Sequence, residues 1–164
     1  MRAYVGVGTN LGDRWGNLTR AARGLRATPR LAPVRASRVW DTPPLGPPQP
    51  RYLNAVVEVE AELPPEALLG ALQRIERDAG RTRGGARWGA RTLDLDLLLL
   101  GDLVVRRPGL AVPHPGLASR RFVLAPLAEL APGLAVPGTG RTVAELLAAL
   151  PADDAAPLGI YPLR

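Results

Sequence analysis

Residues 87–102, Arg-Trp-Gly-Ala-Arg-Thr-Leu-Asp-Leu-Asp-Leu-Leu-Leu-Leu-Gly-Asp, set two carboxylates, Asp94 and Asp96, into a run of leucines otherwise suited to burial. Side chains alternate faces along a strand, so Asp94 and Asp96 share one face, about 6.6 Å apart along the backbone. The four leucines that follow imply that both faces are covered further along the strand. Two bare carboxylates on one face repel each other and are costly to desolvate unless something neutralises them. A hard divalent cation does so, and it can take phosphate oxygens to complete its shell. Magnesium fits better than zinc, because only carboxylates are offered and a single histidine cannot build a nitrogen-rich site. The spacing suits two metal ions about 3.5–4 Å apart that clamp a polyphosphate. The blander alternative is the solvated polar side of an edge strand. Just upstream, Arg87 and Arg91 suit phosphate oxygens, and Trp88, set among glycines and arginines, suits stacking on a flat ring better than burial.

Working outward, residues 2–8 alternate as a strand, with Tyr4 on one face and Val5 and Val7 on the other. A turn at 8–13 leads into a helix that Asp13 can cap and that runs to about Thr28. Residues 34–40 read as a second strand. The stretch 42–50, with prolines at 43, 44, 47, 48 and 50, can join neither helix nor ladder and forms a stiff loop. It ends at a strand over 52–60. Pro64 and Pro65 open a helix with Leu68, Leu69, Leu72 and Ile75 as its apolar stripe and Gly80 as its stop. Gln73 and Glu76, three apart, are neighbours beside that stripe. A Gly- and Arg-rich loop at 80–91 precedes the strand at 92–100, which takes a hairpin partner near 103–105. Residues 112–115 read as a turn, 119–131 as a helix interrupted or restarted near Pro126, and 142–150 as a last short helix. The tail after Pro151 is weakly patterned. The order β-α-β-β-α-β, without a repeated βαβ period, argues for an α+β fold with a ferredoxin-like antiparallel sheet and helices packed on its faces.

Composition narrows the function classes. At 164 residues the chain is read as one domain, 1–164. No apolar run is long enough to span a membrane and the start lacks a signal-peptide layout, so a soluble, cytoplasmic protein without a membrane partner is expected. Cysteine is absent, which excludes disulfides and thiolate metal sites. The net charge of +6 invites a nucleic-acid reading. All 21 basic residues are Arg, however, which points to compositional bias, and the aromatic fraction is 4% with no Phe- and Tyr-rich strand motif. No nucleic-acid partner is expected. The glycines at 6, 8 and 12 do not form a phosphate loop, since the required lysine is missing, and Gly6 and Gly12 read as parts of a tight strand-to-helix turn.

Together these residues resemble one family, 6-hydroxymethyl-7,8-dihydropterin pyrophosphokinase of folate biosynthesis. The resemblance runs in order through Gly8-Thr9-Asn10-Leu11-Gly12, Thr42-Pro43-Pro44-Leu45-Gly46-Pro47, Tyr52-Leu53-Asn54-Ala55, residues 87–96 and Val112-Pro113-His114. It implies transfer of pyrophosphate from ATP, the co-substrate, to the hydroxymethyl group of 6-hydroxymethyl-7,8-dihydropterin, with release of AMP. It also implies two Mg2+ ions held by Asp94 and Asp96. Carried over by position, Thr42, Pro43, Pro44, Leu45 and Asn54 would line the pterin pocket, with the ring between Tyr52 and Phe122. Gln73, Glu76, Arg83, Trp88, Arg91, Leu97, His114 and Arg120 would face the nucleotide. Arg81, Arg83 and Arg91 would join Asp94 and Asp96 in catalysis, and the loop around Arg83 would close over the substrates. A monomer is expected. The chain departs from the family at Gly84-Gly85 and Gly109-Leu110-Ala111, where basic or polar contacts often sit; Arg106 or Arg107 would substitute for the second.

Overall fold

The computed structural model describes residues 1–80 and 92–163. The expectations placed on Arg81, Arg83, Trp88 and Arg91, and on the closing loop that carries them, lie outside the described residues. The elements run β1 (Arg2–Thr9), α1 (Arg14–Ala27), β2 (Leu31–Ala36), β3 (Arg38–Thr42), β4 (Tyr52–Ala61), α2 (Pro65–Asp78), β5 (Asp94–Leu100), β6 (Val105–Arg107) and β7 (Leu110–Val112). A 3-10 turn (Leu117–Ser119), α3 (Arg121–Leu130), β8 (Ala135–Val136), β9 (Arg141–Thr142), α4 (Val143–Ala148) and β10 (Ala156–Ile160) complete the chain.

The main sheet has the order β10-β3-β4-β1-β5, with β2 also paired to β4, and every pairing among the described strands is antiparallel. A first strand between the third and fourth of a β-α-β-β-α-β unit is the ferredoxin-like arrangement, as expected from the order of elements. Helices α1 and α2 cover one face, over Val5, Val7, Leu53, Val57, Leu95 and Leu97. Helix α3 covers part of the other, over Tyr4, Val56, Leu98 and Leu99, with α4 packed against α3. The leucine run of β5 serves both layers. Val5 pairs with Leu97 and Tyr4 with Leu99, so Leu98 is an extra residue in the ladder. Such a bulge resets the alternation, which puts Leu97 and Leu100 under α1 and α2, and Leu98 and Leu99 under α3.

Asp13 caps α1 as expected, its carboxylate accepting from the Gly16 N–H at 3.1 Å. Four expectations change. The strand read over 34–40 is two strands, broken where buried Ser37 accepts from the Val56 N–H at 2.9 Å and bends the chain along β4. Residues 103–105 do not pair with β5; β6 pairs with β7 in a separate ribbon. Pro126 sits inside α3 without interrupting it, because Val123, Leu124, Leu127 and Leu130 hold that helix on the sheet. The tail forms β10 on the edge of β3, and Tyr161 beyond it is buried, its hydroxyl donating to the Leu18 carbonyl at 2.9 Å.

One buried charge anchors the α3 face. Glu58 is 1% exposed and accepts hydrogen bonds from Tyr4 at 2.8 Å, Arg35 at 3.0 Å and Arg2 at 3.1 Å. Burial pushes its pKa up, but the hydrogen bonds from Arg35 and Tyr4 and the two guanidinium charges outweigh that and hold it below the ordinary value. The Tyr4 hydroxyl is pushed up to about 12 by burial and by its bond to Glu58. A carboxylate with a lowered folded pKa contributes stability above its unfolded pKa and loses it as pH falls through the folded one. Glu58→Gln is therefore expected to cost about 2 kcal/mol at neutral pH, and the gap should close on acidification from neutral pH through and below the ordinary glutamate range. Thermal melts of both proteins across that range check this; a gap independent of pH would contradict it.

Candidate functional site

On the α3 face, the end of the sheet away from Glu58 is built from what β1 lacks. Gly8 pairs with Asn54 on one side and Asp94 on the other, and Gly6 pairs with Val56 and Asp96. Alternation aims Asn54, Asp94 and Asp96 to the same face. Because two strand spacings separate β4 from β5, a bare glycine floor roughly 10 Å wide lies between Asn54 and the aspartates. The fit is close: a Cβ on Gly8 would stand 2.7 Å from Asn54 Oδ1. Gly6 and Gly8 are therefore strand residues of the site, and the turn reading holds only for Gly12, whose φ is +75°.

Above this floor lies a cavity of about 640 Å³, open to solvent and walled by Pro43, Leu45, Tyr52, Phe122 and Arg120. Tyr52 and Phe122 are both half-buried and both face it, and the Arg120 guanidinium lies 5.9 Å from the centre of the Phe122 ring. Asn54 is buried, and its amide donates to the Thr42 hydroxyl at 2.7 Å. Thr42 is itself fully buried and reaches the cavity through Asn54, not as part of its wall. Pro44 is half-buried beside the wall residues, without forming part of the wall.

A second cavity, of about 720 Å³, opens along the outer edge of β5, lined by Leu69, Asp96, Leu97, Arg107, Ala111 and His114 among others. Asp96 belongs to both cavities. His114 Nε2 stands 3.7 Å from Asp96 Oδ1. The Gly116 N–H donates to His114 Nδ1 at 3.0 Å, so the ring proton of the neutral imidazole sits on Nε2, toward Asp96. Burial, and then the charge of Arg120, push the His114 pKa down, which keeps it a neutral donor. Arg107, one of the two arginines expected to replace a missing polar contact, lines this cavity and pairs with Glu66.

Glu76, expected to face the nucleotide, is 7% exposed and accepts from the Leu95 N–H at 2.8 Å. It thus fastens α2 to the backbone between the two aspartates. Antiparallel pairing alternates the direction of backbone groups, so Leu97, two residues on, turns its N–H and C=O to the same outer edge and the second cavity. Gln73 is half-exposed on α2 and lines neither cavity. Among the described residues there is no group of three or more His, Cys, Asp or Glu able to cage a metal. What is present is a carboxylate pair on one face over a side-chain-free floor. That donor set suits a hard cation that takes its remaining oxygens from water and phosphate. No described helix is long and apolar enough to cross a membrane.

The chain is similar to known proteins in sequence and in fold. Residues 4–132 match the model of the 7,8-dihydro-6-hydroxymethylpterin-pyrophosphokinase (HPPK) family. The 2-amino-4-hydroxy-6-hydroxymethyldihydropteridine pyrophosphokinase of Pseudomonas aeruginosa is 45% identical over 151 residues, which cover 92% of each chain. The enzyme of that name from Methylorubrum extorquens is 43% identical over 150 residues, covering 91% of this chain and 93% of its own. The crystal structure of Plasmodium falciparum HPPK-DHPS A437G with STZ-DHP superposes with a TM-score of 0.70 over 90% of this chain at 13% identity. The present chain spans 45% of that longer one, and at this identity the likeness speaks for the fold alone.

Proposed function

The chain belongs to the 7,8-dihydro-6-hydroxymethylpterin-pyrophosphokinase family, and from that membership we propose a division of labour between its two cavities. The enzyme is a 2-amino-4-hydroxy-6-hydroxymethyldihydropteridine pyrophosphokinase, which transfers pyrophosphate from ATP to hydroxymethyldihydropterin in folate synthesis. In our reading the pterin occupies the cavity over Gly8, its ring between Tyr52 and Phe122 and its polar edge against Asn54, with Pro43, Pro44 and Leu45 as the rim. A pterin edge alternates donors and acceptors, and the Asn54 amide, held in one orientation by Thr42, matches one donor-acceptor step of it. The nucleotide occupies the cavity along β5, its base at the outward backbone groups of Leu97 and its phosphates toward His114, Arg107 and Arg120.

The observation that carries this reading is that Asp96 lines both cavities. Two Mg2+ ions at Asp94 and Asp96, when bound, would supply charge neutralisation along the triphosphate. The residues themselves align the reaction. The hydroxymethyl oxygen enters from the pterin side and attacks the β-phosphorus in line. The bond from that phosphorus to the α–β bridging oxygen breaks, AMP leaves with the oxygen, and the hydroxyl proton passes to solvent or a carboxylate. Phosphoryl chemistry of this kind asks mainly for alignment and charge. Arg120, which lines the first cavity and whose charge reaches His114, and the neutral Nε2–H of His114 would balance the charge that develops on phosphate oxygens. Arg81, Arg83, Trp88 and Arg91 belong to the same proposal by position in the sequence alone. We read the whole chain, 1–164, as one such unit acting as a monomer.

Titration with Mn2+ in the presence of a non-hydrolysable ATP analogue tests the metal assignment. Two ions per chain, reduced in Asp94→Ala and Asp96→Ala, are expected; undiminished binding in both variants would remove the assignment.

A further inference from the structure

The proline-rich loop that rims the pterin cavity poses a hydrogen-bonding problem of its own. Five of its eight residues from 43 to 50 are proline, so this segment has a full set of carbonyls and few N–H groups to meet them. Two side-chain amides supply the missing donors. Gln49 donates from Nε2 to the Leu45 carbonyl at 3.1 Å and to the Pro47 carbonyl at 3.2 Å, bracing the loop from inside. Asn10, 2% exposed and one residue beyond β1, donates from Nδ2 to the Pro50 carbonyl at 2.8 Å and to Gln49 Oε1 at 2.8 Å. The second bond fixes which end of the Gln49 amide points at the loop. The root of the loop is held separately, by Arg51 to Asp41 at 2.7 Å and by Arg14 to the Arg51 carbonyl at 3.1 Å. Asn10 and Gln49 therefore act on the tip, where Leu45 is 43% exposed and faces the cavity.

We propose that Asn10 and Gln49 form a relay of positioning residues that presets the pterin-binding conformation of the 43–50 loop. The relay joins the glycine floor to the rim. Asn10 follows directly on the strand that carries Gly6 and Gly8, and its bond to Gln49 continues through the Gln49 amide to the Leu45 carbonyl. A loop preset in this way loses little conformational entropy when a flat ring enters, so the relay contributes to pterin affinity and leaves the nucleotide cavity alone. The proposal rests on the assignment of the first cavity to the pterin.

Four variants test it: Asn10→Ala, Gln49→Ala, Gln49→Glu and the double variant Asn10→Ala/Gln49→Ala. Gln49→Glu keeps the length and the acceptor for Asn10 but turns an oxygen toward two carbonyls, and Gln49 is only half-buried, so it preserves the fold if Asn10→Ala does not. Each variant is expected to raise the pterin KM and Kd about tenfold, with the Kd for an ATP analogue unchanged and kcat lowered at most about threefold. The double variant should be no worse than the poorer single, since either change breaks the same relay. A pterin Kd unchanged in Gln49→Glu, or pterin and nucleotide affinities weakened alike, would overturn the relay. Wild-type protein that binds the ATP analogue but no pterin would overturn the cavity assignment, and the relay with it.

Discussion

Asp96→Ala is expected to lower turnover by roughly 10³-fold while leaving the thermal melt within a few degrees of wild type. Asp96 is the one described side chain with acidic chemistry that lines both cavities, and its oxygen faces the Nε2–H of His114 at 3.7 Å. Removing it takes charge from the place where the polyphosphate must meet the hydroxymethyl oxygen, an effect paid in kcat more than in pterin affinity. The fold should tolerate the change, because Asp96 is half-exposed and pairs across the ladder with Gly6 through backbone groups. Steady-state kinetics together with pterin binding by calorimetry check this. Turnover within tenfold of wild type would mean that Asp96 does not handle the phosphates, and loss of pterin binding in step with turnover would mean that it shapes the pocket instead.

Gly8→Ala is expected to weaken pterin binding by about 100-fold with little effect on the ATP analogue. The added methyl would lie 2.7 Å from Asn54 Oδ1, too near for contact. An amide at the end of a free side chain would simply turn away. Asn54 is not free: it is buried and bonded to the fully buried Thr42 at 2.7 Å. Accommodation must break that bond or push the amide into the cavity, and a site built on a buried polar group discriminates steeply when the group is misplaced. Parallel titrations with pterin and nucleotide distinguish the outcomes. Equal affinity for pterin in wild type and Gly8→Ala would show that Asn54 does not read the ring.

How much of this was legible in the sequence follows the range of the physics involved. The pairing of Asp94 with Asp96 on one face needs only the two-residue period of a strand, and the capping of α1 by Asp13 needs only neighbours in the chain. The antiparallel α+β architecture followed from the order of elements, and the leucines after Asp96 pointed to two covered faces. Features that depend on partners across the sheet were not legible. Gly6 and Gly8 become a binding floor only once β1 is known to lie between Asn54 and the aspartates. The bulge at Leu98, which lets one leucine run serve two layers, is likewise a property of the ladder and not of the strand alone. Glu76 reads as a surface neighbour of Gln73 on α2, whereas it is turned inward to the Leu95 N–H. The stiffness of the 42–50 loop could be read from its prolines, but the amides that hold it lie partly in another segment, at Asn10. The tail after Pro151 has no period to read because its short strand is fixed by pairing with β3 and by the burial of Tyr161.

The central claim is that one floor brings the two substrates together so that pyrophosphate passes between them as a unit. Incubation of the protein with ATP, Mg2+ and 6-hydroxymethyl-7,8-dihydropterin, followed by separation of nucleotides and pterins, tests it most directly. The account predicts AMP and a diphosphorylated pterin in equal amounts, with no AMP when the pterin is left out. ADP as the nucleotide product, or AMP released at the same rate without pterin, would contradict it.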